Sequence, residues 1–502
     1  AAYSVKHSGE SSGAGSGRFT PRIQNKMNKN RVLLTGASIV TAEKAGQGAL
    51  LIDGETIAGV WFFDEDGLAE YESEKVSPET LQSRVNADVT RDLSGKLLMA
   101  GAIDAHVHFR EPGMTQKADM ATESRAALLG GVTSFIDMPN TVPATVSLQE
   151  LEKKCSLAEG RCHANWGFHI GADNVNADNI KEYLESCHDS RAFASVKVFM
   201  GSSTGNMLVD RQEALDKLFS ISGSRIFIHS EDEAIIKANL AGAKQKFGEN
   251  IPMREHENIR SRQACIRSTI KALELAMKHG TALHICHVST AEEVEMIRAA
   301  KQYNPEITAE TSANYLWFCD KDYDRLGSRV KCNPAIKTAT DRAALRNALK
   351  DGVIDTIGSD HAPHLKEEKA KPYLTCPSGM PSIQQEVAVL LTVADEEQIP
   401  LTRIASVLSE KISDMLGIVG RGKIQTGHKA DLIIIDPKKE FTVGGSDEGN
   451  AGLAYKCGWS PYEGSRLKGM VEDVYLNGTL TVQNGHLITE TAAGQKLKFR
   501  NR

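Results

Sequence analysis

Short apolar runs cut by turn residues fill residues 31–98, among them RVLLTGASIV, GALLIDG and TIAGVWFF. Runs of this length and composition predict strands. The same texture returns near 424–490 in IQTGHKADLIIID, EDVYLNG and TLTVQNGHLI. Two similar flanks around a different middle suggest one small β-sandwich assembled from both chain ends. The middle alternates short buried strands with longer helical stretches. The expected strands are 97–108, 131–139, 164–171, 192–200, 225–231, 281–289, 306–312 and 353–360. KADMATESRAALLGG and TAEEVEMIRAAKQY are among the helices between them. Strands alternating with helices imply a parallel sheet. Eight β/α units in about 325 residues fit a closed TIM (β/α)8 barrel better than an open doubly wound sheet. No GxGxxG or GxxxxGK[ST] follows any of these strands, which removes the common nucleotide-binding readings. No repeat of 20–50 residues points to a solenoid or propeller.

The division expected from this pattern is a Gly/Ser-rich flexible leader or expression remnant at 1–26, and the first part of the β-sandwich at 27–98. The barrel follows at 99–423, and the rest of the sandwich with a tail at 424–502. Composition adds three exclusions. With 59 basic and 65 acidic residues the net charge is −6, which gives no electrostatic case for nucleic acid or anionic membrane. No stretch of about 18 apolar residues reads as a membrane span. Nine cysteines without a CxxC pair fit the reduced thiols of a cytoplasmic protein.

Several expected strands end in residues that make poor core and good ligands. Such ends gather at one face of a barrel, where active sites form. The first ends in His106-Val107-His108, whose alternation puts both imidazoles on one face. The fifth ends in His229, the sixth in His287 and the eighth in Asp360. Lys197 interrupts the apolar run SVKVFM, where an unpaired ammonium is costly. A lone histidine at a strand end is most often a hydrogen-bonded structural residue, but four histidines and an aspartate at matching ends point to metal. His106, His108 and Asp360 suit one divalent ion, and His229 with His287 suits a second. A bridging anion is then needed. A neutral Lys197 amine that takes up carbon dioxide as a carbamate supplies it. A hydroxide shared by two metals is nucleophilic near neutral pH. Asp360 beside it can take the proton and pass it to a leaving amide nitrogen as general base and acid. This is machinery for hydrolysing an amide.

DAHVHFREPG (104–113), MPNT (138–141), VKVFM (196–200), HICHVST (284–290) and SDHAPH (359–364) together resemble the dihydroorotases of the amidohydrolase superfamily. The motifs run in order across the barrel and are specific as a set. The resemblance implies reversible hydrolysis of L-dihydroorotate to N-carbamoyl-L-aspartate in pyrimidine biosynthesis. It implies a two-zinc centre on His106, His108, carbamylated Lys197, His229, His287 and Asp360, and a homodimer or larger assembly. Arg110, Asn140 and His364 fall where the family binds the substrate carboxylate, and Asn333 in KCNPAIK where it holds the ring. Arg110 lies two residues beyond His108, on the same inward face by strand alternation, and a guanidinium can grip a carboxylate bidentately. No site residue is expected in ETSANYLWF (310–318). The loops 200–209 and 366–381 have the composition of covers over the site. Allantoinases, hydantoinases and dihydropyrimidinases share the metal set, so Arg110 is the discriminating residue. A non-catalytic scaffold on the same barrel is the reading from another class, and the full ligand set argues against it.

Overall fold

The computed structural model describes residues 31–201, 207–447, 449–450 and 452–501. The leader at 1–26 and the centre of the 200–209 loop lie outside them. Eight barrel strands follow one another in the chain: β1 (Ala102–Val107), β2 (Val132–Asp137), β3 (Asn165–Phe168), β4 (Val196–Phe199), β5 (Ile226–His229), β6 (Leu283–Ile285), β7 (Thr308–Thr311) and β8 (Thr356–Ile357). Each pairs in parallel with the next, β3 reaching β4 through its continuation Ile170–Gly171. A parallel bridge between Val107 and His361 closes the ring, with the His108 backbone N–H donating to the His361 carbonyl at 2.7 Å. The chain is thus the α/β TIM barrel that the alternation implied.

Helices between the strands begin where side chains satisfy their first N–H groups. Asp119 with Thr122, Thr290 with Glu293, and Thr338 with Asp341 form reciprocal caps on Met120–Leu129, Ala291–Lys301 and Ala339–Asp351. His169 divides β3 from its continuation. Its Nε2–H donates to the Ala105 carbonyl at 2.8 Å, and its Nδ1 meets Ser195 Oγ at 2.7 Å. The imidazole therefore ties β1 to the approach of β4 from within the barrel.

The run 97–108 reads as one strand but is cut at Gly101. A Cβ there would lie 2.1 Å from Thr133 Oγ1, so the chain passes β2 only as glycine. Before the cut, Leu97–Ala100 pairs antiparallel with Leu432–Thr442. After it, β1 enters the barrel. The two flanks are hydrogen-bonded as one nine-stranded mixed sheet, in the order 486–487, 479–483, 466–476, 432–442, 97–100, 31–40, 45–53 and 56–62, with 89–92 also along 31–40. Leu34, Ile39, Leu50, Leu98, Leu432 and Ile434 fill one face of this sheet. Leu33 and Leu51 pack on the other, beneath Leu81 and Val85 of a short helical segment.

The loop after β8 is pinned by two buried lysines. Lys369 donates to the carbonyls of Lys331, Pro377 and Gly379, and Lys331 to those of Tyr373 and Cys376. Among the described residues no helix is long and apolar enough to cross a membrane.

Candidate active site

The C-terminal ends of the strands carry the expected residues. His106 is the next-to-last residue of β1 and His108 follows the strand. His106 Nε2 and His108 Nε2 stand 3.4 and 3.2 Å from the same oxygen, Asp360 Oδ1. These three residues form a group able to hold a metal ion. On the far side of His106 lies His287, its ring centroid 5.2 Å away. His287 Nε2 is 3.0 Å from His229 Nδ1.

What the sequence did not show is how the imidazoles are oriented. His106 Nδ1–H donates to Glu310 Oε1 at 2.6 Å, and His108 Nδ1–H to Asn140 Oδ1 at 2.8 Å. His229 Nε2–H donates to Glu231 Oε2 at 2.7 Å. Carboxylates and amide oxygens accept only, so each fixes a tautomer whose lone pair faces inward. His287 Nδ1 is buried and has no partner among the described residues. Arg260 also pairs with Glu231. Burial works against the Glu231 charge, but Arg260 and His229 outweigh it and hold the carboxyl at about 2.

Lys197, on β4, is fully buried. Among the described residues no carboxylate lies within the 4.0 Å of an ion pair, and its Nζ meets Cys286 Sγ at 3.1 Å. Its charge acts on His106, His229, His287 and Asp360 alike, so it neighbours both groups of ligands. Burial pushes the Asp360 carboxyl up, and the facing His106, His108 and Lys197 outweigh it, leaving the group below its ordinary value. Burial, helped by Lys197, drives His106 well below the usual imidazole range. A cluster of neutral imidazoles, a carboxylate and an unpaired lysine amine is a donor set that fits divalent metal. Underneath, Asp104 accepts the backbone N–H groups of His106 and Ser359 and the Ser359 hydroxyl, which braces β1 against the turn after β8. Burial raises its carboxyl to about 7.

His108, Arg110, Asn140, Asn333 and Asp360 line one pocket, together with Ala362, Ser378 and Gly379. His364 adjoins it: its Nε2 is 3.0 Å from Arg110 Nη2 and 3.0 Å from the Ser378 carbonyl. All the residues expected at the site thus converge, although not always for the expected reason. Strand alternation does not carry Arg110 inward, because β1 ends at Val107. A left-handed turn does, with φ +66° at Arg110. His287 and Asp360 also hold positive φ, +39° and +50°. Such backbone costs about 1–3 kcal/mol per residue and persists where surrounding contacts enforce it. Burial lowers Arg110 to about 10. Its Nε donates to the Pro363 carbonyl at 3.1 Å, and among the described residues it has no ion-pair partner. The Asn333 Oδ1 is buried and has no hydrogen-bond partner among the described residues.

The expectation of no site residue in 310–318 is corrected by Glu310. The strand that carries it reads TAET, so nothing in its local pattern marks Glu310 as buried. Glu231, two positions after His229, and Lys117, whose Nζ is 3.1 Å from His364 Nδ1, were missed as well. The His-x-Glu spacing was a signal for Glu231, whereas only tertiary packing brings Lys117 to His364.

Barrel, strand-end imidazoles and carboxylate together define a metal-dependent hydrolase. The chain belongs to the amidohydrolase family, whose model matches residues 97–481. It is 34% identical over 390 residues to a dihydroorotase of Methanosarcina mazei, covering 76% of this chain and 82% of that one. An allantoinase of Desulfitobacterium hafniense is 29% identical over 413 residues, covering 80% and 88%. In structure the chain resembles the L-hydantoinase (dihydropyrimidinase) of Arthrobacter aurescens, with a TM-score of 0.82, 25% identity and coverage of 93% and 99%.

Proposed function

We propose that the protein is a dihydroorotase, interconverting L-dihydroorotate and N-carbamoyl-L-aspartate in pyrimidine synthesis in the cytoplasm. The observation that carries this reading is the buried Arg110 guanidinium, which lines the pocket of His108 and Asp360 and has no carboxylate partner among the described residues. Dihydroorotate differs from hydantoin, dihydrouracil and allantoin in bringing an exocyclic carboxylate. Its carboxylate would accept from Arg110, His364 and Asn140 and so complete a buried cation, while Asn333 would meet the ring.

His106, His108 and Asp360 would hold one ion and His229 and His287 a second, with Lys197 as a carbamate between them; zinc suits this donor set. Ions bound there would polarise the carbonyl under attack and lower the pKa of a bound water. The Asp360 carboxylate, whose Oδ1 faces both His106 and His108, would use its other oxygen to receive the proton of the attacking water and deliver it to the ring nitrogen as the amide bond breaks. In the reverse direction the same carboxylate removes the proton from the carbamoyl nitrogen. Arg110, fixed by Pro363, holds the ring at one orientation relative to that carboxylate, which is where proximity contributes to rate. A homodimer or larger homo-oligomer accompanies this proposal on family resemblance alone.

The test is ring opening followed by ultraviolet absorbance, with L-dihydroorotate beside dihydrouracil, hydantoin and allantoin. Selective turnover of dihydroorotate supports the proposal. Preference for a neutral ring would keep the hydrolase and overturn the carboxylate site.

A further inference from the structure

The polar groups around His364 have a consequence for how the pocket reads an anion. Lys117, in the loop after β1, places its Nζ 3.1 Å from His364 Nδ1 and 2.9 Å from Glu368 Oε1. An ammonium donates and cannot accept. The Lys117 contact therefore requires a lone pair on Nδ1. On the other side of the ring, the Ser378 carbonyl 3.0 Å from Nε2 accepts and cannot donate, so it requires a proton there. Both neighbours select the same neutral tautomer, with hydrogen on Nε2.

Arg110 Nη2, which can only donate, also lies 3.0 Å from Nε2 and favours the opposite tautomer. Lys117 and Ser378 therefore stand together against Arg110. With the proton on Nε2, shared with the Ser378 carbonyl, the His364 and Arg110 N–H groups converge from different elements, and an oxygen that accepts from both matches them. If Lys117 is removed, Ser378 alone favours hydrogen on Nε2, against Arg110 at the same distance and Glu368 Oε2, an acceptor 3.8 Å from Nδ1. The balance then turns to hydrogen on Nδ1, and Nε2 becomes an acceptor for Arg110. In that arrangement the anion loses the His364 donor and one N–H of Arg110.

We propose that Lys117 is a positioning residue, holding His364 in its Nε2–H tautomer so that His364 and Arg110 together donate to the substrate carboxylate. This rests on the dihydroorotase reading and adds to it a residue that need not touch substrate. Glu368 anchors Lys117 and accepts the Leu365 backbone N–H at 2.9 Å, so the lysine is oriented by the loop after β8.

The experiment pairs nitrogen-15 NMR of the histidine side chains with kinetics on the metal-loaded enzyme. The His364 resonances are assigned by their loss in His364→Gln. In the wild type the proton is expected on Nε2. In Lys117→Met, which keeps the aliphatic stem, it is expected on Nδ1. There KM for L-dihydroorotate should rise about tenfold, the worth of one hydrogen bond to a charged group, with metal content retained and kcat within about twofold. Lys117→Arg, also a pure donor, should restore both readouts. A wild-type proton on Nδ1 overturns the proposal without any variant. So does a folded Lys117→Met with an unchanged tautomer, or one whose loss falls on kcat alone. If the wild type opens no dihydroorotate, the functional reading fails, and the wild-type tautomer still decides what Lys117 does.

Discussion

Removing Glu310 should loosen the metal centre from behind. Its Oε1 accepts the His106 Nδ1–H at 2.6 Å and lies 3.4 Å from the His287 backbone N. Both ligand groups thus lean on one carboxylate. Glu310→Ala leaves the His106 donor buried and unsatisfied, which costs about 1–3 kcal/mol. It also frees the ring to rotate away from Asp360. Changes to such outer partners lower metal affinity about 10–100-fold, or about 1.4–2.8 kcal/mol, so the two lines of reasoning agree. Glu310→Gln keeps an oxygen for His106. Its amide would face His284 Nε2, which lies 3.5 Å from Oε2. His284 can present a lone pair there, because its other nitrogen meets the Thr308 hydroxyl, a group able to donate or accept. The glutamine variant should therefore lose less than about tenfold. Competition with a chromophoric chelator measures this without reference to turnover. Metal affinity in Glu310→Ala equal to wild type would refute the reasoning, as would a glutamine variant as weak as the alanine one.

Two more expectations concern the same centre. Lys197→Ala should lose turnover and bound metal, with partial rescue by short carboxylic acids; near-normal turnover would dispose of the carbamate. Glu231 sets an acid limit on stability. Its carboxyl is held at about 2 against an ordinary 4.5, so the folded state binds this proton less readily than the unfolded chain. The stabilisation is full above pH 4.5 and is lost as pH falls through 2. The gap in melting temperature between wild type and Glu231→Gln should be widest at neutral pH and close in acid. A gap independent of pH would contradict the assignment.

The ligands were legible because each stands at the end of a recognisable strand and because chemistry of that kind is out of place in a core. The spacing of His106 and His108 points both at one site, although β1 ends between them, and Lys197 announces itself by interrupting SVKVFM. Of the partners that orient them, Glu231 stands two positions from His229, but Glu310 was not legible. Glu310 lies 204 positions from His106 in the chain, and nothing local marks it. Arg110 lines the pocket through a left-handed turn and not through the strand period from which it was argued. Gly101 shows a similar limit. An apolar run continues across it without a break, and the division between domains follows only from the crowding of Thr133 against that backbone.

A metal-dependent hydrolase that reads its substrate through a buried arginine should lose that discrimination with the arginine. The ratio of kcat/KM for L-dihydroorotate to that for dihydrouracil, measured side by side in wild type and Arg110→Ala, reports it. Truncating one partner of a buried charge pair costs about 2–5 kcal/mol, or roughly 30-fold to several thousandfold. The wild-type ratio should stand well above one and collapse by this factor in the variant, with both proteins retaining their metal. A wild type that prefers dihydrouracil would contradict it, as would an Arg110→Ala enzyme that loses metal while its ratio stays unchanged.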